Sequence, residues 1–110
     1  MDVKSFAKEL ISRTESLCPQ ITEIVKSVFA SEPLLADSKC GYQSLLLFGT
    51  MIHEEFVRGQ FGEQPVSAQS GNFVLSYICE RAESMGISGI REIVVQPFAI
   101  GQGFLSVAIP

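Results

Sequence analysis

Residues 42–58 read Tyr-Gln-Ser-Leu-Leu-Leu-Phe-Gly-Thr-Met-Ile-His-Glu-Glu-Phe-Val-Arg. Leu45, Leu46, Leu47 and Phe48 are apolar on every side of a helical turn. A helix of that kind is buried at the centre of a domain or of an oligomer. From Met51 onward the pattern becomes amphipathic, and Gly59 supplies a stop. The stretch predicts a helix over 42–58 around which the rest of the chain must pack. Glu54 and Arg58 stand four apart with the acid first, the favoured order for a surface pair.

Toward the N-terminus, Asp2 is a short acid able to cap a helix. Val3, Phe6, Ala7, Leu10, Ile11, Thr14 and Leu17 follow at helical spacing, which predicts an amphipathic helix over 2–17. Pro19 suits the first turn of a second helix. Its stripe is Ile21, Ile24, Val25, Val28 and Phe29, and Pro33 stops it. The short link at Cys18-Pro19 makes these two helices neighbours. Residues 31–41 read as a loop with Leu34 and Leu35 turned inward.

Toward the C-terminus, residues 60–71 are the longest polar stretch and contain Gly62, Pro65 and Gly71. They read as an exposed loop. Asn72 is expected to cap a fourth helix whose buried face is Phe73, Val74, Tyr77, Ile78, Ala82 and Met85. Gly86 is its stop. Residues 90–100 and 104–109 read as two strands joined at Gly101-Gln102-Gly103. Pro97 belongs at an edge or bulge of such a ribbon. The expected fold is mainly α: four helices in two antiparallel pairs with a short C-terminal β-hairpin, or more broadly α+β. The chain is read as a single globular domain over 1–110.

Composition narrows the function. Of 110 residues, 46% are hydrophobic and 18% charged, so this is not a disordered tail. The net charge is −4 and the sequence pI about 4.9. Nucleic acid is therefore an unsuitable partner, since neutralising phosphates needs a basic surface. Charges interrupt the first residues, so no secretory signal is read there. Residues 93–110 carry no charge, but Gln96, Pro97, Gly101, Gln102, Gly103 and Ser106 break them up. They are read as strands and not as a membrane anchor. Cys18, Cys40 and Cys79 are odd in number and form no Cys-x-x-Cys pair. They read as buried thiols in a reducing cytoplasm.

Chemistry-bearing motifs are sparse. His53 is the sole histidine, and Val57 stands where a helical zinc motif needs a second one. A lone histidine is more often part of a core than a ligand. Cys40 precedes a helix, whose N-terminus would lower its thiol pKa. Cys79 lies in an apolar stretch and reads as inert. No glycine-rich phosphate loop is present, and neither cofactor nor metal is implied.

The resulting expectation is a small acidic protein-binding module without catalysis. A concrete form is an immunity-type inhibitor that occludes a basic toxin or nuclease. Carboxylates steer a basic partner and imitate the phosphates it binds. The expected binding residues are Glu54, Glu55, Glu63, Glu80 and Glu83. One alternative is an enzyme or small-molecule-binding subunit whose site is completed by homo-oligomerisation around His53 and Cys40. Another is a structural subunit of a larger complex. An apolar excess, with mean hydropathy of +0.29, also allows a homodimer through the C-terminal segment.

Overall fold

The first three backbone donors of a helix have no partner within it and must find one elsewhere. In this computed structural model, which describes residues 1–58 and 68–91 without the side chains of 68–70, all three do. The first helix, α1, is Val3–Thr14. Val3 N–H donates to the Ser38 carbonyl at 2.8 Å and Lys4 N–H to the Ala36 carbonyl at 3.0 Å. Ser5 N–H donates to Asp2 Oδ1 at 2.8 Å, so Asp2 caps the helix as its residue type predicts. Cys40 N–H donates to the Met1 carbonyl at 3.0 Å, and Asp2 and Lys39 form an isolated antiparallel bridge. The chain before the third helix is thereby fastened to the chain before the first.

Three further helices follow: α2 (Ile21–Ser31), α3 (Tyr42–Arg58) and α4 (Ala68–Ser84). A single 3-10 turn, Pro33–Leu35, lies between α2 and α3. Helix α1 packs on α2 and α4, and α3 packs on the same two. The four helices thus enclose one core, and the chain is mainly helical. Phe48 is fully buried at its centre. Its ring meets Phe6 of α1 edge-on at 6.1 Å and 89°, and stacks on Phe29 of α2 at 5.9 Å and 23°. One side chain of α3 therefore holds two other helices. Thr14 is buried too, and its hydroxyl donates to the Leu10 carbonyl at 2.7 Å, which leaves no unmet donor.

Helix α3 has the bounds its sequence predicts. Other elements depart from expectation. Helix α1 ends at Thr14, and Leu17 is half exposed in the turn that follows. Pro19 precedes α2 in that turn, with Gln20 at the cap position. Of the two loop leucines, Leu35 is buried and Leu34 is 81% exposed. In a 3-10 turn, successive side chains point about 120° apart, so burying one turns the other out. Helix α4 begins at Ala68, which takes Asn72 from cap to interior and residues 68–71 from loop to helix. Its buried face is Val74, Leu75, Ile78, Cys79 and Ala82, with Phe73 left 47% exposed.

Gly86 does end α4. It takes φ +82, and its N–H donates to the Glu83 carbonyl at 3.0 Å while Ile87 N–H donates to the Ala82 carbonyl at 2.9 Å. This crossed pair is the Schellman stop, which favours glycine because the left-handed region penalises a Cβ. Ile90 and Arg91 have helical backbone, not the extended one expected to start there. The rest of the expected hairpin, Gly59 and most of the expected loop lie outside the described residues. Among the described residues there is no strand beyond the isolated bridge.

Candidate functional site

The five expected carboxylates have different fates. Glu55 is only 8% exposed. It accepts from Arg58 Nη1 at 3.0 Å and from Ser27 Oγ at 3.4 Å, so it ties α3 to α2. The Glu54–Arg58 pair expected from spacing is replaced by this one. Glu83 is exposed but accepts from Arg91 Nη2 at 3.0 Å and Nε at 3.3 Å. Glu63 lies outside the described residues. Glu54 and Glu80 are exposed, on the mutually packed helices α3 and α4, and neither has an ion-pair partner among the described residues.

Burial shifts both His53 and Cys40 toward their neutral forms. His53 is 7% exposed on the inner side of α3. Burial disfavours its charged form and holds its pKa below the ordinary 6.5, against an opposing pull from Glu54. Cys40 is half-buried, and burial pushes its thiol above the ordinary 9.0. The N-terminal charge and Arg81 pull it back only in part. The expectation that a helix N-terminus would activate Cys40 is overturned by desolvation, which favours the neutral thiol. Cys18 is raised by burial as well. None of the three cysteines forms a disulfide among the described residues.

One polar cluster had no signal in the sequence. Glu9 Oε1 accepts from Tyr77 Oη at 2.7 Å and from Arg81 Nε at 2.6 Å. Arg81 Nη1 also donates to Ser84 Oγ at 2.9 Å. The bonds to Arg81 and Tyr77 hold the Glu9 carboxyl below its usual range. Burial, then the bond to Glu9, pushes Tyr77 up to about 12. Partners 68 and 72 residues apart in sequence meet only once α1 and α4 pack. The cluster is a clamp between two helices, in which the Tyr77 hydroxyl and Arg81 Nε both donate to Glu9.

The remaining feature is an open groove of about 390 Å³ between the 3-10 turn and the first half of α3. Glu32, Leu34 and Leu35 form one wall, and Gln43, Ser44 and Leu47 the other. Leu47 is 41% exposed because its neighbours Leu45 and Phe48, three apart, take the inward side of α3. Among the described residues no cation lines this groove.

Charge is unevenly spread around the bundle. Of eight Lys and Arg residues, Lys26, Arg58, Arg81 and Arg91 are held in ion pairs with Glu23, Glu55, Glu9 and Glu83. The other four are Lys4, Lys8 and Arg13 on α1, and Lys39 beside its N-terminus. Glu15 at the end of α1 and Asp37 beside Lys39 are exposed on the same side as these cations, and Glu32, Glu54 and Glu80 are exposed elsewhere, all without an ion pair among the described residues. Among the described residues, the charges without an ion pair on and beside α2, α3 and α4 are the acids Glu32, Glu54 and Glu80, while α1 and its flanks carry unpaired charges of both signs.

Among the described residues no group of three His, Cys, Asp or Glu converges as a metal site would, and no helix is long and apolar enough to cross a membrane. The chain matches no protein-family model, and neither the curated proteins nor the solved structures give a match.

Proposed function

We propose that this chain is a cytoplasmic protein-binding module that engages a basic protein, as an immunity-type inhibitor engages a toxin nuclease, and performs no reaction of its own. The supporting observation is that Glu54 on α3 and Glu80 on α4 stand exposed with no ion-pair partner among the described residues. Carboxylates without a cation beside them attract a basic surface over a Debye length of about 8 Å at physiological salt. Glu54 and Glu80 are the members of the expected binding set that stand ready for this role. Glu55 and Glu83 serve the bundle first, through Arg58 and Arg91. The reading takes the helices as two antiparallel pairs, a rigid scaffold that presents these groups without reordering.

The experiment is affinity capture with the intact chain from the source cells, beside an E54K/E80K variant. Captured proteins are identified by mass spectrometry. The expected result is a basic protein held by the natural chain. It is released at about 1 M salt, where the Debye length falls to about 3 Å. It is also lost from the variant. Capture that ignores both salt and the two reversals would defeat the reading.

A further inference from the structure

We propose that the groove between the 3-10 turn Pro33–Leu35 and the first half of α3 receives an amphipathic helix of the partner, with leucine-like anchors and a flanking Lys or Arg. The inference rests on the basic-partner reading above and gives it a place and a shape.

The walls decide what kind of segment fits. Both are helical, so neither offers a strand edge. The connecting chain has no free strand edge either. The Ala36 and Ser38 carbonyls accept from Lys4 and Val3, and Cys40 N–H donates to Met1. An extended peptide would find no ladder to join and would leave its own backbone groups unmet. A helix brings its backbone bonds with it and presents only side chains. Apolar groups at helical spacing can then cover Leu34 and Leu47, two of the largest exposed hydrophobic residues of the described chain.

Charge decides which helix. Glu32 is the one charged residue lining the groove, and it forms no ion pair among the described residues. Gln43 and Ser44 add neutral hydrogen-bonding groups on the opposite wall. A Lys or Arg beside the apolar anchors meets Glu32. A Glu in the same place meets a like charge, which disfavours that partner.

The test uses the intact chain and two probe peptides of about eighteen residues, or five helical turns. Both carry leucines in one amphipathic register, with lysine on the polar face of one and glutamate on that of the other. Binding is read by fluorescence anisotropy. The lysine peptide is expected to bind, and L34D or L47D to weaken it by about tenfold or more. E32K weakens it too, and the glutamate peptide binds more weakly than the lysine one. Both leucines are exposed, so these variants keep their fold, which circular dichroism confirms. If lysine-peptide binding is lost in E54K/E80K but indifferent to L34D and L47D, the groove is refuted while the basic-partner reading stands. If both peptides bind equally through Leu47, the assignment of a basic occupant is wrong. No binding of either peptide overturns the inference.

Discussion

Phe48 and Phe73 offer the same substitution in two environments, and the outcome separates this fold from the face expected for α4. Phe48 is fully buried, with one aromatic neighbour from α1 and one from α2. Replacing a buried Phe by Ala costs about 3–5 kcal/mol, the transfer loss plus the cavity. Each aromatic pair contributes about 0.5–1.5 kcal/mol beyond its area, which puts F48A toward the upper end. Phe73 is 47% exposed. F73A forfeits about half of a transfer term of about 1.5–3 kcal/mol and opens no cavity, so about 1 kcal/mol is expected. The gap of at least about 2 kcal/mol is a factor of about 30 in the folded ratio, a large part of a stability of about 5–15 kcal/mol. Urea unfolding followed by helical circular dichroism measures both, with the slope checked for a common two-state transition. If F48A is so unstable that no folded baseline remains, F48L against the F6L/F48L cycle reads the same contact. Equal losses for F48A and F73A would mean that α4 buries its Phe73 side and that the packing described here is wrong.

Three further outcomes follow from the titrating groups. His53 has a folded pKa below 6.5 because of burial; the unfolded chain then binds the extra proton, so stability falls as pH drops below about 6.5, and H53L flattens that slope in urea midpoints measured between about pH 7 and 5. Tyr77, raised to about 12, should be the tyrosine that remains un-ionised in a Y42F chain at about pH 11, seen as a late rise in phenolate absorbance; stability contributed by its protonated form is lost as pH climbs from about 10 through 12, and E9Q brings the titration down. Cys18 and Cys40, both raised by burial, should react with a thiol reagent more slowly in the native chain than after unfolding; fast native labelling of Cys40 would restore it as a reactive group.

What the sequence could disclose was local. The bounds of α3, the Asp2 cap and the Gly86 stop each depend on residue types within a turn of one another, and each is legible for that reason. The inner face of α4 is legible in part: Val74, Ile78 and Ala82 are buried as expected, and Tyr77 and Met85 pack partly against the core. The exchange of Phe73 for Leu75 and Cys79 is a small rotation that only the packing against α1 and α3 settles. Asn72 is a sound cap by type, yet α4 extends one turn before it, because tertiary packing outweighs a preference of about 1 kcal/mol. Spacing allowed Arg58 either Glu54 or Glu55. Ser27 lies beside Glu55, and that contact across α2 is invisible in one dimension. The groove was missed because loop leucines were expected to turn inward together, which a 3-10 turn forbids.

The same long-range contacts explain why the overall charge is a poor guide to the surface. A count of −4 averages over a molecule in which half of the Lys and Arg residues are held in ion pairs. Arg81 is spent on Glu9 across α1 and α4, Arg91 on Glu83 past the end of α4, and Arg58 on a Glu55 that is nearly buried. Exposed pairs of this kind add little stability, with a median of about 0–1 kcal/mol. Their larger effect is on what is left over. Each of these arginines is balanced by its own carboxylate, whereas Glu32, Glu54 and Glu80 face solvent with no such pair among the described residues. On the proposed reading, a variant that leaves Arg81 without its carboxylate, such as E9Q, should weaken the binding of a basic partner without touching any expected contact residue.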